Sequence, residues 1–216
     1  MSTTPPFQSG TVFIVDDDQS FLRSVCRLLR AVGCTVETFA SGQEFLARLT
    51  PELSGCVVCD LQMPELDGIE LQAALNQTDN PLPIVFLTGQ GDIPTTVRAM
   101  QSGAEDFLTK LAPKEKLLAA VQRALERNVR ERRQRARQQE LRVQFNELSE
   151  RELEVLGHVV QGKMNKQIAD DLNINLRTVK LHRTNITRKL KIQSVAELTR
   201  LTDEAGLFQQ PKKMVS

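Results

Sequence analysis

Cys56-Val57-Val58-Cys59-Asp60-Leu61-Gln62-Met63-Pro64-Glu65-Leu66-Asp67-Gly68 is the stretch that decides the fold of this chain. A four-residue apolar run ends on an acid, Pro64 and Gly68 mark a loop, and a helical pattern follows through Leu75. A short continuous apolar run between turn signals is the pattern of a strand buried on both faces. The same unit recurs on either side. Val12-Phe13-Ile14-Val15 precedes a helical stretch with Phe21, Leu22, Val25, Leu28 and Leu29 at helical spacing, closed by Gly33. Thr35–Phe39 reads as a strand before a helix over Gln43–Leu49 stopped by Pro51; Pro83–Leu87 precedes a helix over Ile93–Gln101, and Asp106–Thr109 is a short fifth strand. Strands alternating with helices at this spacing predict an α/β, doubly wound, five-stranded parallel sheet with helices on both faces.

The 216 residues are 40% hydrophobic and 25% charged, which excludes a disordered, collagenous or disulfide-scaffold chain. The longest apolar run, Leu117-Leu118-Ala119-Ala120-Val121, is far short of the roughly 20 residues of a membrane span. The first ten residues have neither a basic nor an apolar segment of a signal peptide, so a cytoplasmic protein with no membrane partner is expected. The net charge of +1 hides a division: up to Ala112 there are 6 basic and 14 acidic residues, and beyond it 22 and 13. An acidic, cation-binding unit joined to one that meets polyanions fits that asymmetry. Cys56 and Cys59 spell C-x-x-C, but positions i and i+3 of a strand face opposite sides, which argues against a redox pair or half a zinc site.

After Pro113, Leu117, Leu118, Val121, Leu125 and Val129 carry one helical stripe that fades into an arginine-rich run, Arg130 to Arg137, expected to be an exposed connector. From Leu148 onward only short helices are indicated, and Ser149 with Glu152 has the spacing of a capping box.

In a doubly wound sheet, ligands bind beyond the carboxyl ends of the strands. Those ends carry Asp16-Asp17-Asp18, Asp60, Thr88 and Lys110. Crowded carboxylates repel unless a cation sits among them, and an all-oxygen set favours Mg²⁺. A carboxylate beside such an ion, with a hydroxyl and an ammonium at hand, can attack a phosphoryl group and form an acyl phosphate.

These residues, with Leu87-Thr88-Gly89 and Asp106-Phe107-Leu108-Thr109-Lys110, resemble the receiver domain of two-component response regulators, a flavodoxin-like fold. The resemblance implies that Asp60 is the phosphoacceptor for a sensor histidine kinase. It implies Mg²⁺ held directly by Asp17, Asp60 and the Gln62 carbonyl, with Asp16 acting through water. Thr88 and Lys110 would hold the phosphoryl oxygens, Phe107 would rotate behind Thr88 as the switch, and Gln62 and Gln90 would tune the lifetime of the phosphoryl group. Such a chain accepts and slowly loses a phosphoryl group and is not a turnover enzyme. One departure stands out: receivers usually have a cis-proline after the lysine, whereas this chain has Leu111, for which a cis bond would cost about 3–4 kcal/mol, so a trans bond or a rearranged loop is expected. Asp16-x-Asp18 also resembles the nucleophile motif of haloacid-dehalogenase-type phosphatases, but the later acidic pair of that family is missing at Thr88-Gly89-Gln90.

Residues 163–190 predict two helices joined at Asn173-Ile174-Asn175, with Asn175 capping a second helix to about Leu190. At about 100° per residue, Val179, Ile186 and Leu190 share the inner side of that helix. Arg177, Leu181, Thr184 and Arg188 then point outward, flanked by Lys180, an arrangement suited to phosphates and base edges. Leu148–Leu156, Gly162–Ala169 and Thr178–Leu190 resemble the LuxR-type helix-turn-helix. This implies DNA contacts by Arg177, Thr178, Lys180, Leu181, Thr184, Arg188 and Lys189. Together the two resemblances point to a response regulator of the NarL/FixJ class, nearest its FixJ branch. The expected organisation is a tail at 1–10, the receiver at 11–127, a basic linker, helical or frayed, at 128–146, the DNA-binding domain at 147–208 and a second tail at 209–216. The partners implied are a sensor histidine kinase, double-stranded promoter DNA, RNA polymerase and, on phosphorylation, a second copy of the chain.

Overall fold

The computed structural model describes residues 10–79, 81–89 and 93–208. The chain forms two compact units that divide between Arg132 and Arg133. In the first, β1 (Thr11–Val15), α1 (Gln19–Ala31), β2 (Thr35–Phe39), α2 (Gly42–Arg48), β3 (Gly55–Asp60), α3 (Gly68–Asn76), β4 (Ile84–Thr88), α4 (Ile93–Gln101) and β5 (Asp106–Thr109) alternate; α5 (Lys114–Phe145) begins in the first unit and ends in the second. The sheet has the order β2-β1-β3-β4-β5 with every pairing parallel. The fold is the doubly wound one expected.

Two cores flank the sheet. Val12, Ile14, Cys56, Val58, Val85 and Leu87 face one, with α1 and α5 over them. Phe13, Val15, Val57, Cys59, Ile84 and Phe86 face the other, under α2, α3 and α4. Alternate residues of each strand serve opposite cores, as the pleat requires. Cys56 and Cys59 therefore lie on opposite faces, both fully buried with free thiols whose pKa burial pushes up. The C-x-x-C is a packing feature.

Strand ends are aligned by register: Val15 lies beside Cys59, Asp60 beside Leu87 and Thr88 beside Thr109. The residues that follow each strand are thus delivered to one edge. Gly68 is required there because a Cβ would lie 2.6 Å from the Asp60 carbonyl oxygen and 2.8 Å from the Phe86 ring. Gly33, at φ 91°, ends the turn after α1 in a conformation that other residues resist.

The second unit holds α6 (Glu150–Val160), α7 (Asn165–Leu172), α8 (Leu176–Leu190) and α9 (Val195–Glu204) around Val155, Leu156, Ile168, Val179, Ile186, Leu190, Leu198 and Leu201. Ser149 and Glu152 form the capping box. The segment from 128 is helical through Phe145, and its far end differs from a purely exposed connector. Leu141 and Phe145 are buried in the second core together with Leu148. Their i, i+4, i+7 spacing restores an apolar stripe that the arginines interrupt. At the near end, the buried Asn128 accepts a hydrogen bond from the Gly55 N–H at 3.0 Å, and Arg132 donates to the carbonyls of Glu52 and Leu53 at 2.9 and 2.6 Å. Arg130 and Arg133 are exposed, as a solvated face requires.

Candidate functional site

The three consecutive acids after β1 have three different environments. Asp16 is buried; its Oδ1 accepts the Asp18 N–H at 2.8 Å. Asp17 is exposed, and Asp18 is the N-cap of α1, accepting from the N–H groups of Ser20 and Phe21 at 2.8 and 3.2 Å. Those bonds hold the Asp18 carboxyl below the usual range. Asp60, nearly buried at the end of β3, completes a cluster in which Asp16, Asp17 and Asp60 offer oxygens within 4.8 Å of one another.

Lys110 enters this cluster from the β5 side. Its Nζ donates to Asp60 Oδ2 at 2.8 Å and lies 2.7 Å from Asp16 Oδ2. The second approach is an ion pair that offsets the charge on the buried Asp16 carboxylate. Burial pushes the Asp16 carboxyl up against the opposing pull of Lys110. Burial also opposes the Lys110 charge, but the bonds and charges of Asp16 and Asp60 outweigh it and raise its pKa. One ammonium faces three carboxylates. That imbalance and three hard oxygen donors fit a small divalent cation.

Thr88 is fully buried at the end of β4, and its carbonyl accepts the Lys110 N–H at 2.8 Å. Phe107 is half-buried with its ring 5.9 Å from that of Phe86. Gln62 is exposed, its N–H 3.4 Å from Asp60 Oδ1. Gln90 lies outside the described residues. No cis peptide occurs among the described residues, so Lys110–Leu111 is trans, and Leu111 is 93% exposed. The trans bond leaves the Lys110 ammonium on both carboxylates.

In the second unit, Asn175 caps α8 by accepting the Arg177 N–H at 2.9 Å. Val179, Ile186 and Leu190 are buried as the phase requires, whereas Arg177, Lys180, Leu181, Thr184 and Arg188 are exposed. Leu181 is 58% exposed and lies on the same outward face as Arg177, Thr184 and Arg188. Thr178 is half-buried. Lys189, which the resemblance counts among the DNA contacts, is half-buried: its Nζ donates to Glu152 Oε2 at 2.6 Å and to the Glu147 carbonyl at 3.0 Å. Its position, one step before the buried Leu190, turns it toward α6.

Residues 12–122 match the response regulator receiver domain, and residues 146–202 match the LuxR family of bacterial regulatory proteins. The chain is 39% identical over 196 residues to the response regulator protein TodT of Pseudomonas putida, covering 91% of this chain and 86% of that protein. It belongs to the response regulators. The transcriptional regulatory protein FixJ of Bradyrhizobium diazoefficiens is 36% identical, with 92% of this chain and 97% of that protein covered. A structure of the response regulator StyR matches at a TM-score of 0.75 and 45% identity, covering 91% of this chain and 99% of that one. Full-length FixJ from B. japonicum matches at 0.56 and 36%, covering 93% and 98%.

This response regulator thus joins a receiver domain to a LuxR-type DNA-binding domain, which makes it a two-component transcription regulator with a histidine kinase and DNA as partners. No helix among the described residues is long and apolar enough to cross a membrane. Two features of the regulator's sites escape a reading of the sequence. Phe21 lies under Lys110, its ring centroid 4.5 Å from Nζ, although its helical spacing reads only as core. Glu152 ties to Lys189 across 37 positions, and the capping-box spacing finds only half of that role.

Proposed function

We propose that Asp60 accepts a phosphoryl group from a histidine kinase and that the resulting acyl phosphate raises promoter occupancy. The observation that carries this reading is the Lys110 ammonium, 2.8 Å from Asp60 Oδ2 inside the three-carboxylate cluster. An Asp60 carboxylate oxygen attacks phosphorus. A P–O bond to Asp60 forms, the P–N bond to the donor imidazole breaks, and the nitrogen lone pair returns to the ring. Lys110 stands where it can exchange its carboxylate partner for a phosphoryl oxygen, and the Thr88 hydroxyl, one strand away, supplies a neutral donor. Asp17, Asp60 and the Gln62 carbonyl would hold Mg²⁺, with Asp16 acting through water, and the ion would offset the charge of the transferring oxygens.

Phosphorylation places new charge at the strand ends beside Lys110 and Thr88. Movement of Thr88 with Phe107 behind it transmits the change to α4 and β5. Ile93, Val97 and Met100 support that face as a dimer contact: they are spaced i, i+4, i+7 along α4 and are 80%, 46% and 43% exposed. A dimer carries two DNA-binding domains, and their linkage makes two weak associations act as one through effective concentration. Arg177, Thr178, Lys180, Leu181, Thr184 and Arg188 are the residues of α8 assigned to DNA, and RNA polymerase is the partner through which binding acts on transcription.

Intact mass after incubation with acetyl phosphate and Mg²⁺ tests the phosphoacceptor. The wild type gains one phosphoryl group and Asp60→Ala gains none. Equal gain in both proteins overturns the assignment, and loss in Asp16→Ala alone points to the phosphatase-like nucleophile instead.

A further inference from the structure

Lys189 is a cation in the last turn of the helix assigned to DNA, and charge alone counts it among the DNA contacts. Its surroundings give it another task. Glu152 is buried at the first turn of α6, and one of its oxygens, Oε2, accepts two hydrogen bonds: the Ser149 N–H at 2.8 Å and Lys189 Nζ at 2.6 Å. The Ser149 hydroxyl accepts the Glu152 N–H at 3.3 Å in return. The same Nζ donates to the Glu147 carbonyl at 3.0 Å, two residues beyond the end of α5. Lys189 therefore ties three pieces of backbone together: the last turn of α8, the first turn of α6 and the turn that follows α5.

Removing the ammonium would take away the cation that balances the buried Glu152 carboxylate, so the pair is costly to break. The core beneath α8 is apolar contact through Val179, Ile186 and Leu190, which resists separation but is not directional. Hydrogen bonds to a charged group are directional. Glu152 fixes the end of α8 against α6, the Glu147 carbonyl fixes it against the turn after α5, and the Asn165 side chain accepts from Arg183 Nη1 at 2.7 Å, which ties α8 to α7.

We propose that Lys189 is a positioning residue for DNA recognition, which holds α8 at its angle to the domain through Glu152 and Glu147 and makes no contact with DNA. This rests on the assignment of α8 to DNA made above.

The test measures binding of the full-length protein to a mixed-sequence duplex of about 30 base pairs by fluorescence anisotropy over a series of salt concentrations. Each phosphate contact contributes about 0.9 to the slope of log affinity against log salt. Lys180→Met and Arg188→Met serve as references, each expected to lower the slope by about that amount. Lys189→Met is expected to weaken binding on the order of tenfold with the slope unchanged. Glu152→Gln keeps an acceptor for the Ser149 N–H and so keeps the cap, while removing the charge that holds Lys189. It is expected to weaken binding as Lys189→Met does, and the double variant to be no weaker than either. If Lys189 contacts phosphate, the signs reverse: its removal lowers the slope, and Glu152→Gln frees the ammonium and strengthens binding. Should Lys189→Met fail to fold, the sign of the Glu152→Gln effect decides alone. If neither reference variant lowers the slope, the assignment of α8 to DNA fails instead.

Discussion

Substituting Lys110 by methionine should tighten the binding of Mg²⁺ to the receiver, although it removes a residue of the same site. The Lys110 ammonium sits 2.7 and 2.8 Å from oxygens of Asp16 and Asp60, where it holds the position a cation would otherwise share. A magnesium ion about 2.1 Å from such an oxygen lies about 5 Å from the ammonium when the three atoms are nearly in line. The repulsion of a double by a single charge at about 5 Å is about 1.7 kcal/mol at the dielectric of water and about 6.6 kcal/mol at an effective dielectric of about 20. Asp17 is exposed, so the site is partly wet and the smaller figure is the safer bound. A gain of about 1.4 kcal/mol is tenfold in affinity, so at least about a tenfold tightening is expected. The sequence has neither tryptophan nor tyrosine, so titration calorimetry replaces intrinsic fluorescence as the assay. Both proteins are titrated at the same pH, on the alkaline side of neutrality because burial pushes the Asp16 carboxyl up. Equal or weaker affinity in Lys110→Met would refute the reasoning, because Lys110 and the ion would then not compete for the same oxygens.

Four further outcomes follow from particular contacts. Val97→Asp on α4 should abolish dimerisation after phosphorylation while leaving the one-phosphoryl mass gain intact; sedimentation of the phosphorylated protein shows it, and an undiminished dimer removes α4 from the interface. Glu152 is held below its ordinary pKa of 4.5: burial opposes its charge, but Lys189 and Ser149 outweigh it. A depressed carboxylate stabilises the fold above its unfolded pKa and loses that contribution as pH falls. The melting-temperature advantage of wild type over Glu152→Gln should therefore shrink from about pH 4.5 downward, and a constant difference would deny the linkage. Ile186→Ala, at a site 1% exposed, should cost about 2–5 kcal/mol and unfold the second unit first; phosphorylation of Asp60 should persist, and its loss would show that the two units do not fold separately. Leu111 stands where receivers usually have a cis-proline, and a trans bond there is expected to weaken the coupling of the phosphoryl group to the switch face; Leu111→Pro should therefore leave acetyl-phosphate labelling unchanged and increase the phosphorylation-dependent gain in DNA affinity, and no change in that gain would remove Leu111 from the coupling.

Much of the first unit was determined by sequence alone, because the three central strands, β1, β3 and β4, are short apolar runs whose boundaries are set by local chemistry, and the edge strands lie between turn signals. Thr35–Phe39 and Asp106–Thr109 are strands over the same residues that the pattern predicts, and Ile93–Gln101 is the predicted helix. Parallel strands buried on both sides leave little choice of partner layer, so strand-end polar residues announce the site before any geometry is known. The phase of α8 was equally legible, because a helix has one period and its inner stripe fixes its outer face. Tertiary structure decided how residues of the same type divide their tasks. Asp16, Asp17 and Asp18 are neighbours in sequence, yet one is buried against Lys110, one is exposed and one caps α1. Leu141 and Phe145 look like a thinning stripe in an arginine-rich run and are buried in the second core. Lys189 has a charge suited to DNA, and its Nζ donates to Glu152, 37 positions away. Periodicity and caps are properties of a few consecutive residues. Which carboxylate a lysine meets depends on the packing of distant elements, and that information is not local to any stretch of the chain.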